Sequence, residues 1–290
     1  MALQECGQAF GVDAWAFGAS PEPPAAPTFT PSVDQFVIEA KQGLVVFFSQ
    51  NPNGVYYERQ LEVLFEDTHF HWVTRRALHE LRREAALASD VLPLGIPEPG
   101  EEGTFIRFYR LPANRYWKRD AARIVKLVRE YSTPTFGHAL GDHGETLFDA
   151  GLGRQGFRVD GEDVREWNGV RWQRTNHDLD RVYSRDGVSY GAEIKNSLRY
   201  IQPDELGAKL AMCRAFGVRP LFIVRMLPKT YVNDIVEAGG FALIFKYQLY
   251  PFGWDVLAER VRAELGLPTF RGRVAEKTVN RFLQWHLGNL

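Results

Sequence analysis

Apolar residues recur at helical spacing through the first third of the chain. From Val33 they follow one another at intervals of three or four residues, which predicts a helix with one apolar face. The positions on that face are Phe36, Val37, Ala40, Leu44 and Phe47. The same spacing predicts two more helices, over residues 57–66 and 70–87, and the β-rich run at 104–110 predicts a strand.

Three short helices followed by a two-stranded wing are the order of a winged helix-turn-helix module, which residues 33–131 resemble. In such modules the third helix enters the major groove of DNA. The outer face of the third predicted helix carries four arginines, which we therefore expect to bind DNA. They are Arg75, Arg76, Arg82 and Arg83.

Positive charge is concentrated between Phe105 and Glu130, although the whole chain has a net charge of −1. Eight basic residues stand against two acidic ones there, so the segment carries +6. Lys118 and Arg119 are therefore expected to contact DNA phosphates. The interleaved aromatic residues leave two interpretations open: they stack on bases, or they turn inward beneath a solvated helix face. These residues are Tyr109, Tyr116 and Trp117.

Proline-rich segments indicate where the chain divides. Residues 19–32 contain five prolines in fourteen positions, which excludes a helix or an inner strand and predicts an extended segment. A second boundary is predicted at 132–137, where a proline again interrupts the pattern. The 290 residues are thus expected to form an N-terminal segment (1–32), a winged-helix-like DNA-binding domain (33–131) and a C-terminal domain (132–290).

A β-hairpin is predicted where Asp186-Gly187 separates two β-rich runs. Side chains two residues apart on a strand point the same way, so Glu193 and Lys195 share a face. Asp180 lies six residues before Asp186, and Glu193 lies six residues after Gly187. Folding the chain at this turn therefore brings two carboxylates and one amine together.

This grouping has a chemical use. Carboxylate oxygens on neighbouring strands can hold Mg²⁺ or Mn²⁺, which lowers the pKa of a bound water and makes it a nucleophile. A lysine beside them can orient that water or offset negative charge on a phosphate. The alternative is a structural ion pair without a metal.

The pattern Asp180…Glu193-Ile194-Lys195 resembles the Asp…(Asp/Glu)-X-Lys signature of the PD-(D/E)XK nuclease superfamily. Glu145, at the predicted start of the preceding helix, is similar to a glutamate of the Holliday junction resolvase-like and Mrr-like branches. The resemblance covers residues 137–225 and implies an α/β fold, with a restriction-endonuclease-like mixed sheet of four strands flanked by helices. It also implies that Asp180, Glu193 and Glu145 bind the metal and that Lys195 joins them as a catalytic residue.

The sequence departs from the family pattern before the first aspartate. The family has a proline there, and this chain has His177-Asp178-Leu179 instead. Asp178 and Asp180 point to the same face of a strand, and the hairpin register favours Asp180 as the ligand. Asn196 directly follows the second strand, and we expect it to contact the DNA backbone.

The composition bears on location and on other kinds of site. The two cysteines, Cys6 and Cys213, are far apart and form no CxxC pair, so neither a cysteine-type zinc site nor a disulfide framework is expected. This cysteine usage is typical of intracellular proteins, and we expect a cytoplasmic location. No apolar run reaches 18 residues, so no membrane span is expected.

The function expected from these features is a metal-dependent endonuclease that hydrolyses phosphodiester bonds of duplex or branched DNA. A non-catalytic DNA-binding or assembly subunit and a winged-helix transcription regulator are the alternatives. Cutting both strands of a duplex requires paired sites, so a homodimer is expected, and partner proteins of a larger DNA-processing system are a further expectation.

Overall fold

The structure is a computed structural model that describes residues 33–95 and 104–290. The predicted N-terminal segment (1–32) and the predicted tip of the wing (96–103) lie outside the described residues. The described chain forms two compact units. The first contains residues 33–95, 104–136 and 256–267, and the second contains residues 137–255 and 268–290.

The secondary structure alternates helices and short strands along the described chain. The helices are α1 (Val33–Gln50), α2 (Glu58–Leu64), α3 (His71–Arg83), α4 (Lys118–Tyr131), α5 (Pro134–Gly153), α6 (Pro203–Phe216), α7 (Lys229–Glu237), α8 (Asp255–Leu265) and α9 (Glu276–Leu287). The strands are β1 (Val55–Tyr57), β2 (Ala88–Pro93), β3 (Phe105–Arg110), β4 (Arg158–Val164), β5 (Glu166–Trp167), β6 (Val170–Arg171), β7 (Leu179–Arg185), β8 (Val188–Lys195), β9 (Arg219–Val224), β10 (Phe241–Ile244), β11 (Gln248–Leu249) and β12 (Thr269–Phe270). No described helix is both long and apolar enough to cross a membrane.

The first unit packs three helices against a small antiparallel sheet of order β1-β3-β2. Leu44 and Phe48 of α1, Leu61 of α2 and Leu78 of α3 are buried in one apolar cluster. Burial of apolar side chains is the main force that holds α2 and α3 in place, because isolated helices of 7 and 13 residues are marginal in water. The three predicted helices and the strand at 104–110 are present, but the third helix ends at Arg83 rather than at residue 87.

Residues 256–267 belong to the first unit, whereas the sequence analysis assigned them to the C-terminal domain. Gln60 of α2 is buried, and its Nε2 donates a hydrogen bond of 2.9 Å to the carbonyl oxygen of Leu265. The apolar stripe of α8 has the same spacing whichever unit it packs against. Sequence periodicity alone therefore could not assign this helix.

The second unit is built on a mixed sheet of order β4-β7-β8-β9-β10. The first three strands are antiparallel, and β8, β9 and β10 are parallel. Helices α5 and α9 cover one face, where Phe148 and Phe282 pack on Tyr190. Helix α6 covers the other face, where Met212 packs near Val182. The predicted mixed α/β sheet flanked by helices is confirmed, with five strands in place of four.

The hairpin between β7 and β8 has the predicted turn. Asp186 and Gly187 both have positive φ, 49° and 78°. Positive φ at both central residues is the requirement of a type I′ turn, whose twist matches that of the flanking strands. The pairing starts directly beside the turn, with Arg185 opposite Val188.

Helix α5 begins ten residues earlier than predicted, at Pro134 rather than Gly144. Gly137 and Gly141 lie in open space and are tolerated within the helix at a modest cost. The division between the two units falls after Phe136, inside this helix.

Candidate active site

The hairpin register brings the first predicted carboxylate to the second strand. Arg181 pairs with Ala192, and carrying that register one residue further places Asp180 opposite Glu193. Asp180 Oδ2 accepts a hydrogen bond of 2.6 Å from the backbone nitrogen of Ile194. The carboxylate of Asp180 is therefore fixed against β8 at the end of the paired region.

Glu193 and Lys195 share the face of β8 that is covered by α6. Glu193 is 1% exposed. The ammonium of Lys195 lies 2.9 Å from Glu193 Oε1 and 2.8 Å from Glu205 Oε1, and its side chain is 36% exposed. The three residues of the predicted motif, Asp180, Glu193 and Lys195, are thus brought together, with the lysine nearest to solvent.

Lys209 of α6 is a member of the site that the sequence analysis missed. Its side chain is 4% exposed, and its ammonium makes a close ion pair with Glu193 Oε2. The same nitrogen lies 3.4 Å from Asp180 Oδ1 and 3.9 Å from Asp178 Oδ1. One ammonium therefore bridges carboxylates from two neighbouring strands. A lysine within the apolar stripe of α6 was the signal that could have identified it, because lysine is rarely buried without a partner.

Negative charge exceeds positive charge at this site. Four carboxylates, each within 4 Å of Lys195 or Lys209, face those two ammonium groups, so 4 − 2 leaves two excess negative charges when all groups are ionised. These carboxylates belong to Asp178, Asp180, Glu193 and Glu205. Arg165 offsets part of the excess, because its Nε lies 3.6 Å from Asp178.

Burial and neighbouring charges act against each other on these groups. Burial raises the pKa of Asp180 and of Glu193, and the ammonium of Lys209 lowers both. Burial alone would lower the pKa of Lys195, but the carboxylates of Glu193 and Glu205 more than offset this and raise it. Lys195 is therefore held in its charged form, and the two buried carboxylates need a nearby cation to ionise.

The donor set fits a divalent cation. Both carboxylate oxygens of Glu193 are buried, and among the described residues they have ion-pair contacts but no well-aligned hydrogen bond. Carboxylate oxygens are the preferred ligands of Mg²⁺, which commonly takes one or two of them and keeps several waters. No group of three or more metal-ligating side chains converges within the described residues. Asp180 and Glu193 would therefore have to share the ion with water or substrate.

Glu145 forms its ion pair with Arg181 and not with either lysine of the site. Its Oε2 lies 3.0 Å from Nη2 of Arg181, whose Nε donates a hydrogen bond of 3.1 Å to Asp149. Arg181 and Asp180 are adjacent on β7 and point to opposite faces, and Glu145 is on α5, which covers the face opposite to α6. The charge of Glu145 nevertheless raises the pKa of Asp180, and its role as a third metal ligand stays a prediction.

Asn196 is a structural residue, and its predicted contact with DNA is wrong. It is 2% exposed. Its Nδ2 donates to the carbonyl oxygens of Leu140 at 2.9 Å and Leu249 at 2.7 Å, and its Oδ1 accepts from the nitrogen of Leu249 at 2.9 Å. Asn196 therefore ties the end of β8 to α5 and β11, and a buried amide with these partners is not available to a ligand.

Close packing around Asn196 predicts that Gly144→Ala destabilises the protein. A methyl group at residue 144 would lie 2.9 Å from Cβ of Asn196. The Asn196 side chain cannot move away without losing its hydrogen bonds. We expect a loss of about 1–3 kcal/mol in the free energy of unfolding, measured by urea denaturation. The matched control is Gly141→Ala in the same helix, where the space is open and a gain of about 0.5–1 kcal/mol is expected. Equal stability of the two variants would contradict this packing.

The predicted DNA-binding arginines lie together on α3 in the first unit. They line a surface groove with Trp72 and His79. Arg82 and Arg83 are exposed, and Arg76 is exposed while pairing with Glu80 at 3.1 Å. Arg75 is less available for DNA, because its Nε lies 2.6 Å from the fully buried carboxylate of Glu62. Burial raises the pKa of Glu62, and the nearby guanidinium groups of Arg59 and Arg75 lower it. The arginines of the groove are Arg75, Arg76, Arg82 and Arg83.

Lys118 and Arg119 are exposed at the start of α4. The aromatic residues around them divide between the two interpretations. Tyr109 is fully buried and Trp117 is 7% exposed, so both turn inward, whereas Tyr116 is 90% exposed. Only Tyr116 of the three is positioned to stack on a base.

The second unit thus holds a buried carboxylate pair with two lysines, and the first unit carries exposed arginines on α3. Neither feature by itself identifies a family. No protein-family model matches the chain, and neither a curated protein nor a solved structure shows significant similarity to it.

Proposed function

We propose that the protein is a metal-dependent endonuclease that hydrolyses phosphodiester bonds in DNA with Mg²⁺ or Mn²⁺. The observation that carries the proposal is the pairing of Asp180 and Glu193 on adjacent strands around one cationic group, with Lys195 beside them. The mixed sheet, antiparallel on one side and parallel on the other, supports a restriction-endonuclease-like arrangement for the second unit.

Asp180 and Glu193 are the residues that would hold the ion. When bound, a divalent cation supplies a water of lowered pKa and offsets charge on the scissile phosphate. The ammonium of Lys195 is partly exposed and stays protonated beside Glu193 and Glu205. Lys195 is therefore placed to donate to phosphate oxygens and to stabilise developing negative charge.

Lys209 has a different task. Its buried ammonium offsets part of the negative charge of Asp180 and Glu193 when no metal ion is bound. Without it only the ammonium of Lys195 would face two buried carboxylates, which is costly. Lys209 is therefore a positioning residue that keeps the carboxylate pair together, and it competes with a divalent cation for the same oxygens.

Binding of DNA is assigned to the first unit. Its element order, helices α1, α2 and α3 followed by the β2–β3 hairpin, supports a winged-helix-like module. The third helix of such a module lies in the major groove, and α3 carries the exposed arginines Arg76, Arg82 and Arg83.

We predict that the double variant Arg82→Gln/Arg83→Gln binds duplex DNA on the order of tenfold more weakly at moderate salt. Two lost phosphate contacts should also reduce the slope of log K against log salt by about 1.8. Fluorescence anisotropy in EDTA at several salt concentrations measures both quantities without cleavage. The control variant Arg82→Lys/Arg83→Lys keeps the charges and should retain the slope. An unchanged slope in the glutamine variant would show that α3 does not contact DNA.

The endonuclease proposal is tested by incubating supercoiled plasmid with the protein and Mg²⁺ or Mn²⁺. We expect nicked or linear product with the wild type, and intact plasmid in EDTA or with Glu193→Gln. Intact plasmid with the wild type under every metal, or equal cutting by Glu193→Gln, would overturn the proposal.

A second candidate function is DNA binding without catalysis. The observation that favours it is the ammonium of Lys209, which lies between Asp180 and Glu193 and offsets part of their charge without a metal. The plasmid assay separates the two candidates, because a binding subunit leaves DNA intact and still shifts it in the anisotropy measurement.

A further inference from the structure

The side chain of Tyr116 is almost fully exposed on the surface of the first unit. At 90% it is the most exposed large hydrophobic side chain among the described residues. It lies in the segment between β3 and α4, directly before Trp117, which is buried. A single exposed ring is common on protein surfaces, so the exposure of Tyr116 matters here only together with what holds it outward and with the charges in its segment.

The segment that carries Tyr116 is held on both sides. Asn114 is buried, and its Nδ2 donates to the carbonyl oxygen of Asn53 at 2.8 Å. Arg110 donates to the carbonyl oxygen of Asn114 at 3.1 Å, and its guanidinium lies 5.0 Å from the ring of Trp117. The outward position of Tyr116 is therefore built into the fold, so that little conformational entropy would be lost when its ring meets a ligand.

The segment that carries the ring is rich in positive charge. Residues 115–126 contain five basic residues and one acid, so 5 − 1 gives +4. The basic residues are Arg115, Lys118, Arg119, Arg123 and Lys126, and all are exposed. The acid, Asp120, lies 3.9 Å from Arg123. An exposed aromatic ring flanked by cations is the combination that single-stranded nucleic acid requires, with the ring for a base and the cations for phosphates.

We propose that Tyr116 and the basic residues beside it form a binding site for a single strand of nucleic acid, in which one unpaired base stacks on the ring. A duplex does not fit this site, because each base inside a duplex has its faces covered by neighbouring bases. The site uses other residues than the α3 arginines, which were assigned to the grooves of duplex DNA. It extends the proposed function and rests on it, since it assumes that the protein works on nucleic acid.

Binding of a labelled oligothymidylate and of a duplex of equal length, measured by anisotropy in EDTA, tests the site. We expect Tyr116→Ala to bind the single strand about tenfold more weakly, corresponding to about 1.4 kcal/mol, and the duplex as well as the wild type does. Tyr116→Phe keeps the ring and should stay within about twofold of the wild type. The matched control is Tyr247→Ala in the second unit, a tyrosine that is 54% exposed and should have no effect.

A second variant tests the charges. Lys118→Gln/Arg119→Gln should reduce the salt dependence of single-strand binding by about 1.4 in slope, because about 0.7 is lost per phosphate contact. Three results would overturn the site: no binding of the single strand by the wild type, wild-type affinity in Tyr116→Ala, or equal weakening of duplex binding by Tyr116→Ala. Because no metal is present, these results are independent of plasmid cleavage, and failure of either proposal can be distinguished from failure of the other.

Discussion

Lys195→Ala is expected to slow DNA cleavage by about 10²–10³-fold, since that is the usual cost of removing one group that stabilises transition-state charge. The Lys195 ammonium is held in its charged form by Glu193 and Glu205 and is the part of the cluster that solvent reaches. Its removal leaves Glu193 paired with Lys209, so the fold should survive. Single-turnover cleavage with excess enzyme measures the rate, and circular dichroism checks the fold.

Two further variants define the role of Lys195. Lys195→Arg keeps the charge in a different shape and should retain only part of the rate. Lys277→Ala removes an exposed lysine of the same unit and should cut at the wild-type rate. Wild-type cleavage by Lys195→Ala would show that this lysine does not stabilise the reaction.

Lys209→Met is expected to lower the free energy of unfolding of the metal-free protein by about 3–5 kcal/mol, the usual cost of removing one partner of a buried ion pair. Glu193 would then lose its closest cation while remaining buried. Mn²⁺ should stabilise this variant more than it stabilises the wild type, because the competing ammonium is gone. Urea denaturation in EDTA and in Mn²⁺ measures both effects.

The double variant Glu193→Gln/Lys209→Met provides the control for this second prediction. Removing both charges should recover much of the lost stability, and the double-mutant cycle gives the coupling between the two residues. The loss of unfolding free energy in Lys209→Met should also grow as pH rises. Burial raises the pKa of Glu193 in the folded protein, so the folded protein holds the proton of this carboxyl more tightly than the unfolded chain does. A loss below about 1 kcal/mol, with no dependence on Glu193, would contradict the bridging role of Lys209.

The parts of the site that local signals determine were predictable from sequence. Asp186-Gly187 set the turn type, and the turn set the register that places Asp180 opposite Glu193. The period of two along a strand then put Glu193 and Lys195 on one face. Each step depends on residues close together in the chain.

Contacts between distant segments were not predictable in this way. Lys209 reaches Glu193 through the crossover helix between two parallel strands, and its depth depends on how α6 packs on the sheet. Glu145 lies on the opposite face of the sheet, where it forms an ion pair with Arg181. Asn196 follows the motif directly but turns into the core, because α5 and β11 offer it backbone partners. Periodicity describes which face of an element is apolar and not which neighbour covers it.

The most direct test is a crystal structure of the protein with Mn²⁺, in which anomalous scattering locates the metal. We expect an ion bound by carboxylate oxygens of both Asp180 and Glu193, with the ammonium of Lys209 displaced from between them. A protein that remains metal-free at millimolar Mn²⁺, with Lys209 still bridging the two carboxylates, would contradict the assignment of this site to metal-dependent hydrolysis.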